Sequence, residues 1–253
     1  MKIKTNNNHI KIKQKIKYLL INLCLILLPK KSFHYNRCIM YHSIFKDKII
    51  INDIHSVKYS DFIDQINFLK KFKISPINQI HKTKEEFFIT FDDGYKDTIL
   101  LAYPLLKKLN IPFTIFVTTS NLKDKSGVFL NYRDLKKLAK DKNITIGSHS
   151  KNHTSLAGLN NKNLFNELKG SKQELEKIIK KKVTCVSFPN GSFDQNVINT
   201  CKKVGYKYLC NSIAEPNSLS EKSNTLLINR QAITYWDKNF GFKNKILGKY
   251  DNI

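Results

Sequence analysis

Arginine is the scarcest charged residue in this chain, which limits what the large positive charge can mean. Lysine and arginine number 44 against 20 acidic residues, for a formal net charge of +24, yet arginine occurs only at Arg37, Arg133 and Arg230. Surfaces that read nucleic acid commonly use arginine for bidentate contacts. Lysine, asparagine and isoleucine share A/T-rich codons, so a solvated lysine surface is favoured over a dedicated polyanion site, although attraction to anionic lipid or acidic glycan still follows from the charge.

Cysteine is also too sparse for a disulfide framework or a zinc knuckle. The number of cysteines is odd, no C-x-x-C pair occurs, and most of them stand in apolar runs. We therefore expect buried thiols. The five positions are Cys24, Cys38, Cys185, Cys201 and Cys210.

No apolar run is long enough to span a bilayer, but the N-terminus carries a short one. Six lysines precede the apolar stretch 18–28, and Pro29-Lys30-Lys31 follows it. Spanning a bilayer takes about 20 residues, so this stretch has the layout of a secretory signal without a small-x-small cleavage site. An uncleaved signal or an interfacial helix fits both observations, and a soluble helix that packs on the main domain is the alternative. We expect residues 1–31 to be a leader that associates with a membrane of the cell envelope. The sequence leaves open whether it lies on the exported or the cytoplasmic face.

The remaining residues, 32–253, alternate between short apolar runs and helical patterns. A length of 253 residues with 41% hydrophobic content suits one α/β barrel and is too short for two comfortable domains. Strict alternation of strand and helix predicts a parallel sheet. The predicted strands are 38–42, 86–91, 112–117, 144–147, 183–188, 206–210 and 226–229, and the predicted helices are 61–72, with Ser60 as its cap, 97–109, 132–140, 163–181, 194–204 and 236–247.

Two adjacent acids, Asp92 and Asp93, end the apolar run 87–91 and are followed by a glycine. One acid would suffice to cap the next segment, so a pair indicates a metal site or an acid–base site. A second strand, 144–147, runs into His149 and His153. Histidines four apart on a helical turn lie roughly 5–6 Å apart at Cβ and can share one ion. One Asp and two His are a common ligand set for a catalytic divalent metal, which leaves the other Asp free to act as a base.

Polar residues of this kind follow several predicted strands. His42, the Asp92-Asp93 pair, His149 and Pro189-Asn190 each lie just past the C-terminal end of a separate strand. Those ends meet on one face of an α/β barrel, and active sites form there. The sequence therefore predicts that four distant segments converge on one site.

Three of these segments carry motifs that resemble a known family. The motifs are TFDDGY at 90–95, HSKNH at 149–153 and FPNGSFD at 188–194. In this order, each after a strand, they resemble the first three motifs of the polysaccharide deacetylase (NodB homology) family, and the similarity runs from about Cys38 to Arg230. The resemblance implies a distorted (β/α) barrel of seven to eight parallel strands. It also implies a hydrolase that removes acetyl groups from sugar polymers with a metal-bound water.

The resemblance also assigns roles to residues of this chain. Asp93, His149 and His153 would hold a divalent ion, zinc being favoured by the ligand types, which would acidify a water and polarise the acetyl carbonyl. Asp92 matches the general base. His42, in Ile39-Met40-Tyr41-His42, resembles an early Tyr-His element of poly-N-acetylglucosamine deacetylases and is the candidate acid. His34, His55 and His81 are less structured alternatives.

The third motif departs from the family pattern. Ser187 and Asn190 stand where many members have an arginine and a tyrosine, and no histidine follows His153. The Asn190 N–H could still donate to the oxyanion, since a main-chain donor tolerates side-chain change. Arg230 could approach Asp92 from another strand end. Tyr95 is a candidate for stacking on a sugar ring, with core packing as its alternative.

The favoured function is a metal-dependent deacetylase of an N-acetylated envelope glycan or glycolipid. These departures from the family pattern leave open an inactive sugar-binding member of the same fold. The candidate base, the candidate acid and the three candidate metal ligands are nevertheless all present. A basic nucleic-acid-binding protein is a third interpretation, for which no recognisable motif is found. The sugar, the preference for N- or O-acetyl groups and the oligomeric state are left open.

Overall fold

The computed structural model describes residues 36–46, 54–80, 85–217 and 224–249. The predicted leader, as well as His34 and His81, lies outside these residues. Within the described residues, no helix is both long enough and apolar enough to cross a membrane.

Among the described residues the structure has ten strands and six α-helices, and from residue 57 to residue 210 strands and helices alternate as the sequence predicts. The strands are β1 (Arg37–Tyr41), β2 (Ile44–Phe45), β3 (Val57–Lys58), β4 (Phe87–Phe91), β5 (Phe113–Val117), β6 (Ile144–Ser148), β7 (Cys185–Ser187), β8 (Tyr208–Cys210), β9 (Leu226–Ile228) and β10 (Arg230–Ala232). The helices are α1 (Tyr59–Leu69), α2 (Tyr103–Lys108), α3 (Tyr132–Leu138), α4 (Asn161–Ile179), α5 (Gln195–Val204) and α6 (Asn239–Ile246).

Eight strands form one parallel sheet in the order β10-β1-β4-β5-β6-β7-β8-β9, while β2 and β3 pair separately. The two edge strands, β9 and β10, are separated in the chain only by Asn229. Consecutive Cα atoms are about 3.8 Å apart, so the two edges must be neighbours in space and the sheet must curl into a nearly closed barrel. The predicted barrel of seven to eight parallel strands is confirmed.

Side-chain amides hold the seam between β9 and β10. Asn217 brackets the backbone of Asn229, accepting from its N–H at 2.8 Å and donating to its carbonyl at 2.9 Å. Asn211 donates to the Asn229 side-chain oxygen at 2.8 Å. These bonds satisfy backbone groups at the point where the chain passes from one edge of the sheet to the other.

The inward-facing rows of the strands lead directly to the predicted site. A small apolar cluster that includes Cys38, Phe88 and Phe116 is separate from the larger core between sheet and helices. Since side chains alternate along a strand, the row 38-40 continues to His42 and the row 88-90 continues to Asp92. Gly147 belongs to the inward row of β6, and an added Cβ there would come within 2.4 Å of the Phe116 ring. The next residue of the same row is His149.

Three local predictions are corrected. The helix expected from residue 61 begins at Tyr59, and Lys58, not Ser60, occupies its cap position without a side-chain bond. The segment expected to be one helix over 97–109 starts as a π-helical turn, Thr98–Ala102, before α2. The strand β10 was not predicted, because its three residues are too few for a recognisable alternation.

Side chains cap the starts of two helices, and Asp194, predicted as the first helical residue, lies just before α5. Asn131 caps α3 in a reciprocal capping box with Asp134, and Asp194 accepts from the Val197 N–H at the start of α5. The four cysteines that the structure describes are buried free thiols, as expected, while Cys24 lies outside the described residues.

Candidate active site

Asp92 lies at the C-terminal end of β4 and is held by an arginine from another strand. Its carboxylate is 2% exposed. Arg230, the first residue of β10, donates to both oxygens at 2.7 Å, in bidentate geometry. Ser187 Oγ donates to Oδ2 at 2.9 Å and itself accepts from Arg230 at 2.6 Å. Ser187 occupies the position at which many family members have arginine, and here it supports an arginine that arrives from β10.

These contacts keep the Asp92 carboxylate ionised. Burial raises its pKa, but the opposing charge of Arg230 outweighs this effect and lowers the pKa to about 2. Burial lowers the pKa of Arg230 and Asp92 raises it, with a net rise above the usual range. Each carboxylate oxygen has two lone-pair sites, so the bonds from Arg230 and Ser187 leave capacity to accept a further proton.

Asp93 reaches the same cleft although successive strand residues face opposite sides. Its φ of 67° places it in the left-handed region, which turns its side chain back beside Asp92. Asp93 Oδ1 lies 3.3 Å from His149 Nε2 and 3.1 Å from His153 Nε2. Burial raises the pKa of Asp93, but the close approach of these histidines lowers it well below its usual range.

The three side chains fit a divalent metal ion. Their ligand atoms all lie within 4.8 Å of one another. His149 Nδ1 lies 3.0 Å from the Ser187 carbonyl, which can only accept, so the proton resides on Nδ1 and the Nε2 lone pair faces the cluster. Asp93 Oδ1 is buried without a hydrogen bond of acceptable geometry, which marks it as an acceptor that a cation would satisfy.

The segment that carries the two histidines is not a helical turn, contrary to the prediction. Residues 149–153 have no regular secondary structure, and Ser150 and His153 have φ values of 60° and 58°. The imidazole centroids are nonetheless 4.9 Å apart. We name this segment, together with Ser148, the ligand loop (148–153).

His42 lies on the opposite side of the cleft from the ligand loop and stacks on a second histidine. Its ring centroid is 4.6 Å from that of His55, and its Nδ1 is buried with no hydrogen-bond partner among the described residues. Burial lowers the His42 pKa, whereas the carboxylates of Asp92 and Asp93 raise it. The net effect lowers the His42 pKa below its usual value, which favours the neutral imidazole, so His42 must gain a proton before it can act as an acid.

A cleft of about 450 Å³ joins these residues at the C-terminal edge of the barrel. It is within the usual size range of small-molecule sites. Its lining comprises Met40, His42, His55, Asp92, Asp93, His149, His153, Phe188, Asn190, Gly191, Ser212, Arg230 and Ala232. The structure thus brings together every predicted site residue except Tyr95.

Of the predicted substrate contacts Asn190 and Tyr95, only Asn190 lines the cleft. Asn190 lines the cleft with a φ of 57°, and its side chain donates to Ser155 at 3.1 Å. Tyr95 is not part of the cleft lining, because its ring stacks on Phe129 with centroids 5.1 Å apart. A sugar contact at Tyr95 stays a prediction that this arrangement does not favour.

His55 and Ser212 are cleft residues to which sequence reasoning gave no definite role. His55 was kept only as an alternative acid, because it stands outside any clear strand or helix pattern. Ser212 follows β8 by two residues, so the inward row of β8 was the signal that could have identified it.

Barrel and site together define a hydrolase, and comparison with known proteins identifies the family. Residues 79–209, just over half of the chain, match the sequence model of the family described as Polysaccharide deacetylase. The chain therefore belongs to the polysaccharide deacetylase family. The predicted family and the predicted class of hydrolase are confirmed at this level.

Two curated relatives show how far the similarity extends. A Bacillus subtilis (strain 168) protein, YxkH, whose name places it provisionally among the polysaccharide deacetylases, is 30% identical over 146 residues. That match covers 58% of this chain and only 50% of the relative. The poly-beta-1,6-N-acetyl-D-glucosamine N-deacetylase of Staphylococcus aureus (strain MRSA252) is 27% identical, over 86% of this chain and 88% of its own length.

Solved structures share the fold. A polysaccharide deacetylase from Bacillus cereus superposes with a TM-score of 0.72 at 24% identity, covering 85% of this chain and 70% of that one. The Streptococcus pyogenes deacetylase PplD superposes with a TM-score of 0.73 at 20% identity, covering 85% and 99%. At these identities the likeness shows the architecture.

Proposed function

We propose that this chain is a metal-dependent N-deacetylase of a polymer of N-acetylated amino sugars. The observation that carries the proposal is the pairing of an arginine-held, ionised Asp92 with the Asp93–His149–His153 ligand cluster in one cleft. The family supports a carbohydrate substrate. The relative that aligns with most of this chain is named for poly-β-1,6-N-acetylglucosamine, which makes that polymer the first substrate to test.

The residues of the cleft divide the work of amide hydrolysis. A divalent ion held by Asp93, His149 and His153 would, when bound, supply an acidified water and polarise the acetyl carbonyl. Asp92 takes the proton of the attacking water, and Arg230 fixes the direction of its carboxylate. The complete base and ligand set favours an enzyme over an inactive sugar-binding member of the fold.

Two further residues of the cleft, Asn190 and His42, act on the oxyanion and on the departing amine. The Asn190 N–H donates to the oxyanion as the acetyl carbon becomes tetrahedral. The C–N bond then breaks, and the nitrogen needs one proton to leave as an amine. His42, whose lowered pKa favours the neutral imidazole, gives that proton after taking one from solvent, and Asp92 returns the water proton to solvent as the products leave. The products are acetate and a free amino sugar.

The test combines metal analysis with acetate release. Purified protein should bind about one divalent ion per chain and release acetate from oligomers of β-1,6-linked N-acetylglucosamine. The variant Asp93→Ala/His149→Ala/His153→Ala should lose both the ion and the activity. Stoichiometric metal retained by this variant would contradict the assigned site, and a panel of O-acetylated glycans would reveal a preference for esters.

We also propose that residues 1–31 hold the enzyme at a membrane surface, as their lysine-flanked apolar stretch suggests. Full-length protein should sediment with membranes at physiological salt, and removal of residues 1–31 should release it. Freely soluble full-length protein would refute the anchor. A substrate in the cell envelope, polymer or glycolipid, is consistent with such a location.

A further inference from the structure

The ligand loop carries both histidine ligands without the support of regular secondary structure. Its carbonyl groups are bound on one side by the segment that follows β5. Thr118 Oγ1 donates to the His149 carbonyl at 3.2 Å, Thr119 N to the Ser150 carbonyl at 3.3 Å and Ser120 N to the Lys151 carbonyl at 2.9 Å. These bonds engage three successive carbonyl groups of the loop.

Two N–H groups of the loop, those of Lys151 and Asn152, face helix α4, where a single carboxylate receives both. Glu167 is 8% exposed. Its Oε2 accepts from the N–H groups of Lys151 and Asn152, both at 2.9 Å, and its Oε1 accepts from the Asn152 side chain at 2.6 Å. Hydrogen bonds to an ionised acceptor are roughly twice as strong as neutral ones.

Two neighbours of Glu167 on the same helical face also contact the loop. Ser171, four residues on, lies 2.7 Å from Ser148 Oγ, which accepts from the Ser150 N–H. Gly170 faces the Lys151 side chain, because an added Cβ at this position would lie at an ordinary contact distance of 3.7 Å from it. Residues three and four apart share one helix face, so the three contacts form one surface.

We propose that this face of α4, formed by Glu167, Gly170 and Ser171, positions the metal ligands, with Glu167 as the principal positioning residue. The inference rests on the proposed function, because it assumes that His149 and His153 bind a metal ion. Both positive-φ residues of the loop, Ser150 and His153, flank the two N–H groups that Glu167 accepts. Removal of that acceptor takes away one of the two sets of hydrogen bonds that hold the backbone in the left-handed region.

The predicted consequence is a loss of preorganisation in the ligand set. If residues 151–152 relax, the His153 imidazole moves away from Asp93 Oδ1, and the binding of an ion must first restore the geometry. Loss of outer groups that orient metal ligands typically weakens metal affinity by about 10–100-fold. We expect Glu167→Ala to raise the dissociation constant for Zn²⁺ by this factor. Glu167→Gln, which keeps an oxygen for both N–H groups, should stay within about threefold of the wild type.

The control is Glu176→Ala, a change on the same helix. Glu176 accepts a backbone N–H as well, that of Val183 at 2.9 Å, but does not contact the ligand loop. Glu176→Ala should lower the free energy of unfolding to an extent similar to Glu167→Ala, and it should leave the Zn²⁺ dissociation constant unchanged. If Glu167→Ala folds poorly, Glu167→Asp replaces it, since it keeps the charge but is one methylene too short to reach the loop.

Two measurements on the full chain decide the outcome. Competition titration gives the Zn²⁺ dissociation constant of each variant, and amide hydrogen exchange of the metal-free protein follows Lys151 and Asn152. Exchange there should be at least about tenfold faster in Glu167→Ala, and unchanged in Glu176→Ala. Unchanged exchange, or equal loss of affinity in both variants, would overturn the positioning role. Wild-type protein that binds no Zn²⁺ would refute the proposed metal site instead. The exchange result would then still test whether Glu167 holds the ligand loop.

Discussion

The two sides of the cleft place neighbouring carboxylates by different physical means. Asp93 belongs to the ligand side, where backbone hydrogen bonds shape a short loop and the histidines are four residues apart. Asp92 belongs to the base side, where a buried guanidinium from 138 positions further along the chain fixes it. Under the proposed roles, the carboxylate that would bind a cation is left open to the cleft, whereas the one that would act as the base is paired with a permanent charge. Adjacent residues thus acquire different chemistry from their partners.

Replacement of each acid by asparagine should distinguish the metal-ligand role from the base role most clearly. Asp93→Asn should lose the metal and with it all measurable deacetylation, because the amide is a weaker ligand. Asp92→Asn should keep the metal and lose roughly 10²–10⁴-fold in rate, the usual scale of general-base catalysis. Metal content and acetate release on the two purified variants are the measurements. Loss of metal in Asp92→Asn alone would mean that the two roles are reversed.

The base side should be far more sensitive than the surface to loss of an arginine. Arg230→Met leaves the Asp92 charge buried without its partner and should lower the free energy of unfolding by about 3–5 kcal/mol. Arg133→Met, at an exposed position on α3, should change it by less than about 0.5 kcal/mol. Urea unfolding of the metal-free proteins gives both values. A double variant, Arg230→Met/Asp92→Asn, should recover part of the loss, and strictly additive effects would argue against the pairing.

His42 can be separated from its neighbour by the choice of substrate. His42→Ala should retain the metal and lose about 10²-fold in rate on an amide, but far less on an activated acetyl ester, because a good leaving group needs no proton. His55→Ala, in the same cleft, should affect amide and ester alike. Rate ratios from matched substrates are the measurement, and equal losses in His42→Ala would remove it from the acid role.

The smallest effect is expected at Asp97, which links the segment after β1 to the segment after β4. Asp97 is buried and accepts from Ser43 Oγ at 2.5 Å, next to His42. Burial raises the Asp97 pKa to about 7. Between about pH 4 and pH 7 the native state holds a proton that the unfolded chain has released, so stability falls as the pH rises.

Asp97→Asn should abolish that slope and raise the free energy of unfolding at pH 8 by about 1–3 kcal/mol relative to the wild type. Urea unfolding at pH 5 and pH 8 measures it, with Asp64→Asn on the exposed face of α1 as the control. An unchanged pH slope in Asp97→Asn would show that Asp97 is ionised in the native protein.

The ligand side was accessible to sequence reasoning because its information is local. The strand 144–147, the two histidines and the adjacent acids stand in short motifs whose residue types match a metal site. The geometry of the loop was not accessible, since its left-handed residues, Ser150 and His153, depend on Glu167 and Ser171 in the following helix. Residue spacing alone therefore suggested a helical turn.

The base side shows the limit of the same reasoning. Ser187 looked like the loss of an arginine, and Arg230 was expected to approach Asp92 from another strand end, without any local signal for the bidentate contact that the structure shows. Only the closure of the sheet, which makes β10 the neighbour of β1, brings Arg230 over Asp92. Pairing between the first and last strands of a barrel leaves no local pattern, whereas the alternation of strands and helices and the caps at Asn131 and Asp194 do.

The closure of the barrel by its last strand also orders the events of synthesis. A ribosome exposes the ligand loop and its supporting helix α4 well before it exposes Arg230, so the growing chain possesses its metal ligands while Asp92 still lacks its counterion. Contacts at such long sequence separation form late in folding. A nascent chain would thus acquire the capacity to capture an ion before the capacity to use it. Hydrolytic competence would coincide with the completion of the fold.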